Sequence, residues 1–168
     1  MKLFGILLCV FSSLNVQAFG EDLPNLQTTE SGLYRSGRPT YNGLVSLKNN
    51  LKVKTIIDLE EQPDVIQQEA AWAKQLGMNF ISMPMSAFVK PNEAEVNKIE
   101  EFINSANLRP LLVHCLRGMD RTGLIIGLYR VETNKWMATR SYDEMLRFGF
   151  HPRFWELDNY FKARTKMR

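Results

Sequence analysis

The sequence predicts an α/β fold: a single domain on a mostly parallel central sheet flanked by helices. Three observations lead there. Short apolar runs alternate with segments of helical spacing from residue 33 to 166. No repeat, low-complexity tract or linker divides the roughly 150 residues that follow the N-terminal segment, enough for one real core. Finally, the run Pro110-Leu111-Leu112-Val113 passes through a glycine-containing turn into a second apolar run, Leu124 to Tyr129. Strands alternating with helices imply crossover units, and ligands then gather at the carboxyl ends of the strands.

Phe19 to Ser31 is polar and contains proline, which predicts an extended lead-in. Ordered structure begins at Leu33-Tyr34-Arg35-Ser36-Gly37-Arg38-Pro39 with a short strand and a turn. Val53 to Leu59 reads as the first central strand. Pro63 to Leu76 has helical spacing at Ile66, Ala70, Ala73 and Leu76 and is closed by Gly77; Asn79 to Met83 returns as a strand. Asn92-Glu93-Ala94-Glu95 is a capping box opening a helix with Val96, Ile99, Phe102 and Ile103 on one face. Leu111 to His114 is the next strand and Leu124 onward a buried helix. Ser141-Tyr142-Asp143-Glu144 is read as the cap of another helix, His151 as a helix end, and Pro152 to Lys166 as the last helix. Its aromatics Phe154, Trp155, Tyr160 and Phe161 are assigned to the core.

The chemistry concentrates in His114-Cys115-Leu116-Arg117-Gly118-Met119-Asp120-Arg121-Thr122-Gly123, at the junction of strand and helix. Backbone N–H groups of such a turn, with the positive end of the helix behind them, make a concave site for a phosphate dianion. The same field favours a thiolate: a cysteine at a helix N-terminus beside a cation falls from about 8.5 to between roughly 3.5 and 7.5. Cys115 is therefore the expected nucleophile. Arg121 offers a planar fork for two phosphate oxygens at once. Gly118 lets the backbone approach the ligand, and the Thr122 hydroxyl can hydrogen-bond the departing sulfur. Leu116, Arg117 and Met119 complete the expected phosphate cradle, with His114 orienting it through ring hydrogen bonds. A buried structural thiol beside a capping arginine is the bland reading, and ten consecutive matching positions weigh against it.

Met1-Lys2 followed by an apolar stretch to Leu14 and then Val16-Gln17-Ala18 has the order of a secretory signal peptide, residues 1–18. The expectation is an exported protein, periplasmic or secreted, with no integral membrane segment after cleavage. Cleavage would remove Cys9 and leave Cys115 as the one cysteine of residues 19–168, so no disulfide within that chain is expected. Losing Lys2 leaves 20 basic against 18 acidic residues, which gives no case for nucleic acid as a partner.

At the loop H-C-x-x-G-x-D-R-T-G the chain resembles the cysteine-dependent protein tyrosine phosphatase superfamily. Tyr34-Arg35-Ser36-Gly37-Arg38-Pro39, Lys54-Thr55-Ile56-Ile57-Asp58-Leu59 and Tyr142 to Phe148 are similar to motifs of its compact atypical dual-specificity branch, found in plants, fungi and bacteria. The resemblance implies a protein tyrosine phosphatase-like fold and a metal-independent, cofactor-free phosphomonoesterase with a phosphocysteine intermediate. In that superfamily an aspartate on a separate loop supplies the proton for the leaving group, but Met83 to Pro91 contains no aspartate or glutamate. Asp120 is the nearest substitute, as in myotubularin-type and bacterial inositol phosphate phosphatases that carry an aspartate before the arginine. Asp58, Glu60, Glu61 and Asp64 are alternative donors.

Relatives of this branch act on inositol pyrophosphates and inositol hexakisphosphate, so the resemblance implies an inositol polyphosphate substrate. Arg117 and Lys90 would supply extra positive charge, with Arg35 and Arg38 as weaker candidates and Arg38 the better of the two because it follows a glycine in a turn. A phosphotyrosine or dual-specificity protein phosphatase is the alternative, and a catalytically weak phosphate-binding module the second. A shallow basic pocket would favour the inositol; a deep slot with an aromatic wall would favour the phosphoprotein.

Overall fold

The computed structural model describes residues 20–167; the expected signal peptide and Cys9 lie outside the described residues. Five short strands form one sheet: β1 (Gln27–Glu30), β2 (Leu33–Ser36), β3 (Thr55–Asp58), β4 (Asn79–Ser82) and β5 (Leu111–His114), in the order β1-β2-β5-β3-β4. Neighbours from β2 to β4 run parallel, and only β1 is antiparallel, paired to β2. The expected extended lead-in thus contributes an edge strand. β3 and β5 are buried throughout, the polar Thr55, Asp58 and His114 included, as strands in the middle of a sheet covered on both faces must be.

Alternation along the strands divides the core. Leu33, Ile57, Leu111 and Val113 face α3 (Glu93–Asn104), α4 (Asp120–Glu132), α5 (Ala138–Arg147) and α6 (Trp155–Thr165). Ile56 and Leu112 face the other way, onto α1 (Tyr41–Leu51) and α2 (Pro63–Gln75), where Leu44, Leu47, Ala73 and Met78 pack. Helix α1 is an addition to the sequence reading, which assigned nothing to residues 41–51. Thr40 caps it by accepting from Gly43 N at 3.1 Å.

Two helix starts also differ from expectation. Helix α5 begins at Ala138, and Ser141 lies inside it with its hydroxyl donating to Gly127 O at 2.7 Å, where α5 crosses α4. The crossing is close enough that a side chain on Gly127 would meet Met145 Sδ at 2.5 Å. Helix α6 begins at Trp155, which is 65% exposed, so that ring is not core. At α3 the Asn92 half of the expected capping box is present, Oδ1 accepting from Ala94 N at 2.9 Å and from Glu95 N at 3.3 Å, while the return bond to the Glu95 side chain is absent among the described residues. Among the described residues no helix is long and apolar enough to cross a membrane.

Candidate active site

Residues 115–119 connect the carboxyl end of β5 to the first turn of α4. The loop is shaped from outside by β2. Arg38 N donates to Leu116 O at 3.1 Å, and Gly118 O accepts from Arg35 Nη2 at 2.6 Å and Asn25 Nδ2 at 3.3 Å. Gly118 has φ +69°, and a side chain there would meet Gly37 N at 2.5 Å, so the position requires glycine twice over. With those carbonyls turned toward β2, the N–H groups of residues 116–121 find no backbone acceptor among the described residues. Free amides at a helix N-terminus are what an anion cradle needs.

Cys115, 3% exposed, lies at the foot of a pocket of about 220 Å³. Leu116, Arg117, Asp120 and Arg121 line it from the loop and α4, Glu61 and Ala87 from the facing segments, and Phe88 and Phe154 as an aromatic wall. The two rings pack edge to face with centroids 5.4 Å apart. Phe154 packs against the core as expected and lines the pocket as well. Thr122 is fully buried with a hydroxyl that has no hydrogen-bond partner, leaving it free for the sulfur.

Arg121 Nη1 donates to Leu59 O at 2.8 Å and Met85 O at 3.2 Å, and Nη2 reaches Glu60 Oε2 at 3.5 Å. Those contacts fix the fork at the end of β3. Glu60 also accepts from Arg38 Nε at 2.9 Å, so Arg38 steadies the carboxylate behind Arg121 instead of lining the pocket. Glu60 is held by two arginines and does not line the pocket. Asp58 is sealed beneath the sheet end and Asp64 does not line the pocket. Of the alternative donors only Glu61 does.

Asp120 Oδ1 accepts from His151 N at 2.8 Å and meets His151 Nδ1 at 3.1 Å. This leaves Oδ2 without a protein hydrogen bond among the described residues, on a side chain that lines the pocket. Sequence reading took His151 for a helix end; its position against Asp120 was not expected. Lys90 lies apart, in a neighbouring groove with Glu93, Glu156 and Arg164. Met119 is the residue preceding α4, next to Gly149, and does not line the pocket.

His114 does not line the pocket, and the ring hydrogen bonds expected to orient the loop are not found among the described residues. Its ring is fully buried and faces away from the pocket, with Nε2 2.9 Å from Glu69 Oε1 and 3.7 Å from Asp58 Oδ1. Burial opposes the charged imidazole, but Glu69, Asp58 and Cys115 outweigh it and push His114 up to about 9. Burial beside Glu69 pushes Asp58 up to about 6, against the pull of His114. A carboxylate–imidazole–carboxylate set is a chemically reasonable cation ligand set, and its ligating atoms lie within 4.8 Å of one another. The direct 2.9 Å contact is that of an ion pair. Glu69 could have been found in the sequence: it falls on the α2 stripe between Ile66 and Ala73, where a solvated glutamate would not.

The fold and the site have counterparts. The solved structure of TpbA from Pseudomonas aeruginosa superposes with a TM-score of 0.71 at 28% identity, covering 83% of this chain and 84% of that one. The catalytic core of the PP-IP phosphatase SIW14 from Saccharomyces cerevisiae, in complex with citrate, gives 0.70 at 29% identity over 85% and 90%. In sequence the chain is 34% identical over 161 residues to the inositol diphosphatase SIW14 and 32% identical over 127 residues to the dual specificity protein phosphatase TpbA, covering 90% and 75% of this chain. It spans 55% of the length of each. Residues 9–153 match the model of the family described as DSP-PTPase phosphatase fused to NAD+ kinase. With its parallel sheet, its loop from β5 to α4 and Cys115 and Arg121 facing one pocket, the chain belongs to this family of dual-specificity-type, cysteine-dependent phosphatases.

Proposed function

We propose that the protein is an exported, metal-independent phosphatase that releases phosphate from inositol polyphosphates through a phosphocysteine on Cys115. The Cys115 thiolate attacks phosphorus, the bond to the leaving oxygen breaks, and Asp120 delivers the proton that this oxygen needs. Arg121 forks two equatorial oxygens while the loop amides hold the third. Water then cleaves the phosphocysteine, returning the thiolate, and Asp120 regains its proton from that water. Thr122 donates its hydroxyl to the sulfur as it leaves.

One observation carries the reading: Cys115, Arg121 and Asp120 line a single pocket, and Asp120 is gripped by His151 on one oxygen only. Alkyl phosphates have poor leaving groups and need a proton donor, so Asp120 fits an inositol substrate. The 34% identity to an inositol diphosphatase supports the same substrate class. Export rests on the N-terminal pattern of charge, apolar run and small residues. Phe88 and Phe154 favour a second reading, an aryl phosphate such as phosphotyrosine, whose ring would stack in the slot.

Phosphate release from inositol hexakisphosphate and from a phosphotyrosine peptide, measured side by side with a chelator present, separates the two. The proposal expects at least a tenfold higher kcat/KM on the inositol. The reverse preference assigns the protein to phosphoproteins, and release from neither supports a phosphate-binding module.

A further inference from the structure

Arg35 is the largest side chain that is fully buried, at 1% exposure, and it lies on β2 just outside the phosphatase loop. Among the described residues its one hydrogen bond is the 2.6 Å bond from Nη2 to Gly118 O, and Nε has no partner. Its guanidinium lies 4.9 Å from the centroid of the Phe148 ring. A side chain on Gly123 would begin 3.8 Å from Nη2, so the cation sits against the first turn of α4, near the helix's positive end. Burying a cation there without a counter-ion is costly on two counts.

Glu144 is the carboxylate that most favours its charge, but among the described residues no carboxylate lies within ion-pair distance of Arg35. Glu144 on α5 is occupied by Arg130 of α4 at 2.9 Å. Asp120 on α4 is held by His151, and Glu69 on α2 and Asp58 on β3 by His114 on β5. Arg117 and Arg121 carry the same sign as Arg35. Burial pulls the Arg35 guanidinium down to about 10, against Glu144 and Cys115, which hold it up; at neutral pH it stays charged. The remaining group that can answer its charge is Cys115 as the nucleophile, together with the phosphoryl group that the proposed reaction would bring to the pocket.

We propose that Arg35 is a positioning residue of this site: a sealed cation that pins the Gly118 carbonyl outward and acts through the loop as counter-charge to the Cys115 thiolate and the bound phosphoryl group. The proposal rests on the reading of Cys115 as the nucleophile. It also accounts for the asymmetry of the loop, whose outward carbonyls meet β2 while its amides face the ligand.

The test uses the full chain and the variants Arg35→Met and Arg35→Lys. The pH dependence of iodoacetamide alkylation, followed at the Cys115 peptide by mass spectrometry, reads the thiolate directly, and inhibition by vanadate reads the phosphate site. Arg35→Met is expected to move the alkylation midpoint up by about one pH unit and to weaken vanadate about tenfold. Its thermal midpoint should be unchanged or higher, because a costly buried charge has gone. Arg35→Lys, which keeps the charge and loses the fork, should restore most of the alkylation midpoint. An unmoved midpoint in both variants, with or without lost thermal stability, would reduce Arg35 to packing and overturn the proposal. An ordinary free-thiol midpoint in the unsubstituted protein would instead overturn the nucleophile reading beneath it.

Discussion

Beneath Cys115 the side chains are charged and sealed from water, whereas at the mouth of the same pocket they are aromatic and open. Below lie His114, Glu69, Asp58 and Arg35, all fully buried, on β5, α2, β3 and β2. Above lie Phe88, 78% exposed, and Phe154, on the segment after β4 and at the start of α6. The lower set rides on the sheet and on α2, rigid elements that can place charges to within a fraction of an ångström, which electrostatic catalysis requires. The upper set sits on connecting segments that can vary with little cost to the core. Chemistry and substrate choice are thus assigned to different parts of the molecule, and substitutions should separate them.

The largest effect should come where the two sets meet. Asp120→Asn is expected to slow turnover of inositol hexakisphosphate by about 10² to 10⁴, while an aryl phosphate with a good leaving group loses less than about tenfold. Steady-state kinetics on both substrates checks this; equal losses would make Asp120 a structural partner of His151 and nothing more.

The buried set should show itself in stability against pH. His114 is raised from its ordinary 6.5 to about 9, so its contribution is complete below about 6.5 and disappears as pH rises through 9. Asp58, raised from 3.8 to about 6, acts in the same direction at lower pH: its burial favours the folded state less as pH climbs past 4 toward 6. The thermal midpoint should therefore fall between pH 6.5 and 9, by an amount on the order of a few kcal/mol of stability. In Glu69→Gln that slope should flatten. A wild-type midpoint that is level across this range would mean that His114 is neutral and the Glu69 contact uncharged.

Phe88→Ala tests the mouth and should have the smallest effect. Inositol hexakisphosphate turnover is expected to change less than about threefold, and a phosphotyrosine peptide to lose about tenfold, the value of one apolar ring contact. A tenfold loss on the inositol would show that the aromatic wall grips the substrate itself.

The same division explains what could be read in advance. The parallel sheet, the turn from β5 to α4 and the Cys115–Arg121 spacing are local patterns, visible as alternating runs and a ten-residue motif. Helix α1 was missed although Leu44, Leu47 and Leu51 fall at i, i+3 and i+7, because Gly43 and Asn49-Asn50 weaken its propensity and mask the stripe. The contacts of Arg121 with Leu59 O, Met85 O and Glu60, of Asp120 with His151, and of Arg35 with Gly118 join elements 31 to 83 residues apart. No local period encodes such pairings. Phe154 was only half legible for a related reason: helical spacing identifies its packing against the core, while its contact with the pocket segment that carries Phe88 is decided by where α6 starts.

The most direct test of the account is to stop turnover of labelled inositol hexakisphosphate with acid within milliseconds and locate the phosphate on the chain by mass spectrometry. The account predicts a phosphorylated Cys115 peptide that is lost in Cys115→Ser along with turnover, while ligand binding persists. Continued turnover in Cys115→Ser, or label on any other residue, would contradict the covalent mechanism.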